Sequence, residues 1–384
     1  MKFLSRIFCT LSATLMLVTP AIAFDTAATS AMIVDQTTGT VLLAKDADRP
    51  IPPASMSKLM TLNMLFEALR DGRVTMETKF LVSDRAQQIG GSTMFLRSGE
   101  RVSVENLIQG IIVQSGNDAC VTVAENLAGT EEAFAQQMTD RAGELGMNAS
   151  SFGNATGWPH PLQRMSARDL VFMANRLITD FPQFYPYFSQ QSFEWDGVKQ
   201  DNRNPLLNLG IGADGLKTGH TSEAGYGLVG SAKQGKRRVI FMITGLQSAA
   251  ERASEAEKLT NWAFRQFVSK ELFKQGATIS TAEVWLGAEK HVPLTTEHDI
   301  ASLIPLGVQS DIQLSISYQG PIEAPIAKGD QIATLKVNVA KMNPVEFPLV
   351  AASDVEKGGV LTRMIAAAHL LSKDLIGNKL GAAN

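Results

Sequence analysis

The spacing of apolar and polar positions changes several times along this 384-residue chain. Lys2 and Arg6 open it, an apolar run follows through Leu15, Met16, Leu17 and Val18, and Pro20 precedes the small-x-small triplet Ala21-Ile22-Ala23. That succession predicts a cleavable export signal over 1–23, the apolar run being short for a membrane-spanning helix. Met32-Ile33-Val34 and Val41-Leu42-Leu43 flank the turn Gln36-Thr37-Thr38-Gly39, which predicts a hairpin over 31–45. Pro52-Pro53 ends the extended segment. Leu59, Leu62, Phe66 and Leu69 then recur at helical spacing as far as Gly72, so a helix begins close to Ser55. Further helical stretches cover roughly 103–127, 131–145 and 166–179, the last opened by Ser166 with Asp169 three residues on.

From about residue 214 the period shortens. Segments 214–220, 226–232 and 237–246, separated by glycine and polar turns, predict an antiparallel sheet. A helix over 252–267, with Ala256, Leu259, Trp262, Ala263 and Phe267 on one face, closes against it. Helices gathered between early and late strands give one α+β domain, 24–272, with both chain ends in its sheet. Over 276–352 helical periodicity disappears, and the short runs 281–286, 310–318, 331–339 and 345–350 predict a small all-β sandwich. That module carries no catalytic constellation and reads as a spacer or docking unit. The tail, 357–384, aligns Leu361, Met364, Ile365, Ala368, Leu371 and Leu375 in one stripe, with Arg363, Lys373 and Lys379 elsewhere on its surface. An amphipathic helix of this composition suits an anionic membrane surface.

Composition adds a few restrictions. Of two cysteines, Cys9 lies in the export signal, so Cys120 is left without an intramolecular partner and stability must come from a packed core. A net charge of −3, five scattered histidines and no basic block or Cys/His cluster argue against a nucleic-acid partner or a metal site. No cofactor is expected.

Ser55-Met56-Ser57-Lys58 places a lysine three residues after a serine at a helix start. Positions i and i+3 share a helix face, and a helix start offers free N–H groups and partial positive charge. A nucleophile, a neighbouring base and N–H donors are the minimum for acyl transfer. The motif is common by chance, and a capping serine with a solvated lysine would read the same. Ser115-Gly116-Asn117 sits on a turn after the apolar helix Leu107–Val113, and Lys217-Thr218-Gly219 on an expected strand. Gly219 leaves that strand bare where a substrate backbone could lie. In this order the three elements form the set found in penicillin-binding proteins and class A β-lactamases.

On these residues the chain resembles a low-molecular-mass (class C) penicillin-binding protein, a D-alanyl-D-alanine carboxypeptidase of the serine, Ser-x-x-Lys type. The resemblance is carried by Ile33-Val34-Asp35 with Thr38-Gly39, by Pro53 to Thr61, by Gln114 to Cys120, by Asn154-Ala155-Thr156-Gly157 and by Asp214 to Thr221. It implies a penicillin-binding/β-lactamase-like domain, a β-domain behind it and an amphipathic membrane-association helix. It also implies roles. Ser55 attacks the penultimate D-alanine carbonyl of a peptidoglycan stem peptide, and Lys58 takes its proton. Ser115 relays a proton to the leaving amine. Asn117 holds Lys58 or the substrate amide. The backbone N–H groups of Ser55 and His220 form the oxyanion hole, and Lys217, Thr218 and Gly219 meet the substrate, with Arg252 a helper at its carboxylate. β-Lactams would be covalent inhibitors, and the protein would be periplasmic, attached peripherally to the outer face of the inner membrane. An ordinary lysine pKa of about 10.4 leaves about one amine in 2,500 neutral at pH 7, so Lys58 needs burial and a second cation, Lys217, to serve as base.

Three rival activities share these motifs. A class A β-lactamase needs a deacylating glutamate, for which Glu144 with Met147 and Asn148 is a near miss at an expected helix end. A DD-endopeptidase would use the same bond chemistry on cross-links. A scaffold protein would keep the site silent. Cys120 reads as a buried apolar residue rather than a nucleophile, and His220 as a backbone donor.

Overall fold

The computed structural model describes residues 24–306, 312–340, 342–360 and 364. The expected export signal lies outside them, and so does the expected tail helix beyond Val360, Met364 apart.

Strands β1 (Ser30–Asp35) and β2 (Thr40–Lys45) form the expected hairpin. A 3₁₀ turn, Ala54–Ser57, leads into helix α1 (Lys58–Arg70). Small hairpins, β3 (Lys79–Leu81) with β4 (Arg101–Ser103) and β5 (Ser192–Trp195) with β6 (Val198–Asp201), flank a helical cluster. That cluster comprises α2 (Asp84–Gln88), α3 (Val104–Gln109), α4 (Asn117–Ala128), α5 (Glu131–Glu144) and α6 (Ala167–Thr179). Ser166 caps α6 by accepting from the Asp169 N–H at 3.0 Å, as its sequence suggests. Strands β7 (Ala213–Thr221), β8 (Gly225–Gln234) and β9 (Arg237–Leu246) and helix α7 (Ala249–Arg265) complete the module.

The five strands form one antiparallel sheet in the order β2-β1-β9-β8-β7, so β1 and β2 from the start of the chain share a sheet with three late strands. Both faces are covered. Ala31, Ile33, Val239, Phe241 and Ile243 pack toward α7, while their neighbours Met32, Ile240 and Met242 pack into the helical cluster. A sheet buried on two faces needs continuous apolar runs, which is why these strands show no polar alternation. β7 is an edge strand.

Two helical expectations are corrected. The stretch 103–127 is not one helix: α3 passes into a π segment, Gly110–Gln114, Ser115 takes a left-handed φ of 61°, and α4 restarts at Asn117. Ile111, Ile112, Cys120 and Val123 are buried on both sides of the break, so apolar spacing runs through it unmarked. Helix α7 starts at Ala249 rather than 252, because Ser248 caps it by accepting from the Glu251 N–H at 3.0 Å.

The C-terminal strands are β10 (Phe267–Phe273), β11 (Ser280–Trp285), β12 (His291–Thr295), β13 (Ile300–Pro305), β14 (Ile312–Ser317), β15 (Ile322–Glu323), β16 (Gln331–Val339) and β17 (Val345–Ala351). A six-stranded sheet, β14-β16-β17-β12-β11-β15, and the β10-β13 ribbon enclose a separate core that includes Val292, Leu294, Leu335 and Leu349. The first domain, drawn from sequence as far as 272, would include most of β10. That strand hydrogen-bonds instead to β13, because α7 ends at Arg265 and Phe267 opens an extended segment. Among the described residues no helix is long and apolar enough to cross a membrane.

Candidate active site

Ser55 lies on the 3₁₀ turn, one position after Ala54, whose φ of 48° is left-handed. An alanine there is strained, and such strain gathers at functional sites. The turn is wedged between two glycines. A Cβ at Gly157, φ +83°, would meet the Ala54 carbonyl oxygen at 2.0 Å, and one at Gly219 would meet the Pro53 carbonyl oxygen at 3.0 Å and Met56 Cγ at 3.1 Å. Gly219 therefore lets β7 press against the nucleophile turn. Its bare side faces that turn rather than an incoming substrate backbone, although its residue still borders the cleft.

Lys58 opens α1 and is fully buried. Its Nζ lies 3.0 Å from Ser55 Oγ, donates to Asn117 Oδ1 at 2.8 Å and donates to the Thr156 carbonyl. Burial lowers its pKa to about 8, with Arg203 pushing the same way and Cys120, Asp118 and Glu131 opposing. Asn117 thus meets Lys58 through its Oδ1, and its Nδ2 donates to the Gly90 carbonyl at 3.0 Å.

Ser115 stands at the left-handed break before α4, where its Oγ accepts from Lys217 Nζ at 2.9 Å. Lys217 is buried, and burial, Lys58 and Arg203 hold its pKa well below the usual lysine value. Both buried lysines are thus held below the usual lysine range, with desolvation the largest cause for each.

Two lobes meet at Ser55. One, of about 460 Å³, is bordered by Ser115, Arg203, Thr218, His220, Tyr226 and Arg252. The other, of about 360 Å³, is bordered by Gly91, Asn117, Gly157, Trp158 and His220. Arg252 is nearly buried, leaves its Nε without a partner, and donates from Nη2 to the Arg203 carbonyl at 3.3 Å. Arg203 donates to Ser92 Oγ at 2.7 Å. Among the described residues no carboxylate pairs with Arg203, Arg252 or Lys217. A cleft holding cations without counter-charge suits an anionic ligand. His220 stacks on Tyr226 with ring centres 3.9 Å apart.

All nine candidate residues thus meet in one place: Ser55, Lys58, Ser115, Asn117, Lys217, Thr218, Gly219, His220 and Arg252. Arg203 was not legible, and Thr156, though part of the Asn154–Gly157 segment that carries the resemblance, had no role assigned. Arg203 belongs to no spaced motif, and Thr156 contributes a backbone oxygen that any residue type would supply. Cys120 is fully buried, and burial pushes its thiol up to about 12, so it stays protonated. Glu144 sits at the end of α5, paired with Arg141 at 2.6 Å and absent from both lobes, where a deacylating glutamate would have to stand. A further cavity, about 600 Å³, lies elsewhere, between the β1–β2 turn and the C-terminal sandwich.

Comparison with known proteins gives a consistent set of relatives. Residues 16–248 match the family described as D-alanyl-D-alanine carboxypeptidase, and residues 267–357 match the C-terminal domain of penicillin-binding protein 5. The chain is 36% identical over 344 residues to D-alanyl-D-alanine carboxypeptidase DacF of Bacillus subtilis, covering 87% of each. It is 34% identical to DacD of Escherichia coli, covering 87% of this chain and 88% of that one. Among solved structures, penicillin binding protein 5 from Haemophilus influenzae aligns with a TM-score of 0.80 and 32% identity, over 88% of this chain and all of that one.

Proposed function

This chain belongs to the D-alanyl-D-alanine carboxypeptidase family, and we propose that Ser55 is the nucleophile with which it cuts. The activity is that of a serine-type D-alanyl-D-alanine carboxypeptidase, a hydrolase of peptidoglycan stem peptides. The observation that supports the site assignment is the convergence of three distant chain segments. Lys58 bonds both Ser55 and Asn117, and Lys217 bonds Ser115, two residues before Asn117 on the same turn.

The steps follow from those contacts. Neutral Lys58 draws the proton from Ser55 Oγ, which attacks the carbonyl of the penultimate D-alanine. The backbone N–H groups of Ser55 and His220 receive the developing oxyanion. Ser115, bonded to Lys217, relays the proton taken up by Lys58 to the departing D-alanine amine, which leaves Lys58 neutral again. The C–N bond breaks and an ester to Ser55 remains. Lys58 then deprotonates the water that hydrolyses this ester, and the acyl peptide leaves with Ser55 restored. The cationic lobe takes the terminal carboxylate, through Lys217, Thr218 and Arg252, with Arg203 at its mouth. β7, as an edge strand, has one free side along which an extended peptide can lie.

β-Lactams would acylate Ser55 by the same attack. Export by the 1–23 signal and peripheral attachment through the 357–384 tail would hold the enzyme at the outer face of the inner membrane, beside its substrate. The β-sandwich is the spacer between that surface and the cleft. The test is D-alanine release from a pentapeptide ending in D-Ala-D-Ala. Wild type releases it and Ser55→Ala falls to background; equal release by both would remove Ser55 from the mechanism.

A further inference from the structure

Glu131, in the first turn of α5, is 2% exposed. Its Oε2 accepts from Arg85 at 2.5 Å, and its Oε1 accepts from the backbone N–H of Ala155 at 3.1 Å. The opposite side of Ala155 is held too, since its carbonyl accepts from Thr61 Oγ1 of α1 at 2.6 Å. Asn154 Oδ1 accepts from the N–H groups of Thr156, Gly157 and Trp158 at 3.1, 2.8 and 3.2 Å. Between these anchors the Thr156 carbonyl faces Lys58 Nζ and accepts from it.

That carbonyl decides where the base points. A neutral amine has two N–H bonds and one lone pair, arranged tetrahedrally. Asn117 Oδ1 accepts one N–H of Lys58 and the Thr156 carbonyl accepts the other. The lone pair is then directed at the remaining neighbour, Ser55 Oγ, 3.0 Å away. Without the Thr156 acceptor the amine turns about its Cε–Nζ bond and presents an N–H to Ser55 instead.

We propose that Glu131 is a positioning residue for Lys58, acting through the Ala155–Thr156 peptide that it anchors; this rests on Ser55 as nucleophile and Lys58 as its base. Glu131 also acts on Lys58 by charge, in the opposite sense. Facing Lys58 are Asp118 and Cys120 of α4, Lys217 of β7, Arg203 and Glu131 itself, with the uncharged Asn117 and Thr156 carbonyl in contact. Glu131 raises the Lys58 pKa. Removing its charge alone would shift the acid limb of the acylation rate to lower pH and speed reaction at neutral pH. Losing the anchor would lower the alkaline plateau, where Lys58 is already neutral.

Stopped-flow acylation of the full-length protein by nitrocefin, followed across pH, separates the two effects. For Glu131→Ala the plateau should fall by about tenfold or more, in keeping with the large cost of misplacing a catalytic group, while the acid limb moves down. Glu131→Gln keeps an amide oxygen for the Ala155 N–H and should recover much of the plateau. Thr61→Val loosens the other side of the same peptide without altering charge, and should lower the plateau with the limb in place. It carries the test if Glu131→Ala fails to fold, which thermal unfolding reports. A plateau within about twofold of wild type in Thr61→Val and in folded Glu131→Ala would overturn the proposal. Wild type that forms no adduct at Ser55 would instead overturn the site assignment beneath it.

Discussion

At Lys58, burial and hydrogen bonding act against each other. The side chain has no exposed surface, which disfavours the ammonium, yet the oxygens of Asn117 and Thr156 suit a donor. The outcome is a pKa lowered to about 8. At pH 7 about one amine in ten is then neutral, against about one in 2,500 for an ordinary lysine. Because the neutral amine is the working base, kcat/KM should rise with pH through a limb centred near 8 and level off above it. A profile flat across that limb would mean Lys58 does not act as base. The serine and lysine were legible because they keep a fixed spacing on one helix face. The acceptors that orient the amine were not: one is a backbone carbonyl, and Asn117 was open between two roles until its contacts were known.

At the scale of elements, the segment 154–157 does much of the positioning. It presses Gly157 against the nucleophile turn and brings the Thr156 carbonyl to Lys58. Gly157→Ala would combine a left-handed φ with a Cβ 2.0 Å from the Ala54 carbonyl oxygen. It should cost about 1–3 kcal/mol of stability and slow acylation, because the displaced atoms belong to the turn bearing Ser55. Denaturant unfolding and acylation kinetics measure the two effects, and a variant equal to wild type in both would show that the turn yields without consequence. Helices with capping serines and strands with uninterrupted apolar runs were readable in the sequence. A turn at Ser115-Gly116-Asn117 was readable too, but the π segment before it and the left-handed φ of Ser115 were not, since the buried face continues across them. The need for space at Gly219 is real, but the space is filled by the Pro53–Met56 turn.

At the scale of the whole molecule, the described residues place the apolar clusters on the two faces of the five-stranded sheet apart from the one inside the β-sandwich. The link between them includes the Arg237 Nη1 bond to the Phe267 carbonyl and the Leu306 N–H bond to the Gln266 carbonyl. Cores so separate should unfold in distinct calorimetric steps, and acylation by a β-lactam should raise only the step of the catalytic module. A single transition shifted as a unit would show that the modules are energetically coupled. The division into an α+β module and a β-module was legible from the change of period. Its boundary was less so, because Phe267 continues the helical spacing of α7 while already forming β10. The central claim, that acyl transfer passes through Ser55, is tested most directly by intact-mass detection of a penicilloyl adduct followed by peptide mapping. One adduct per chain, on the peptide containing Ser55 and lost in Ser55→Ala, is the predicted result; an adduct on any other peptide would contradict it.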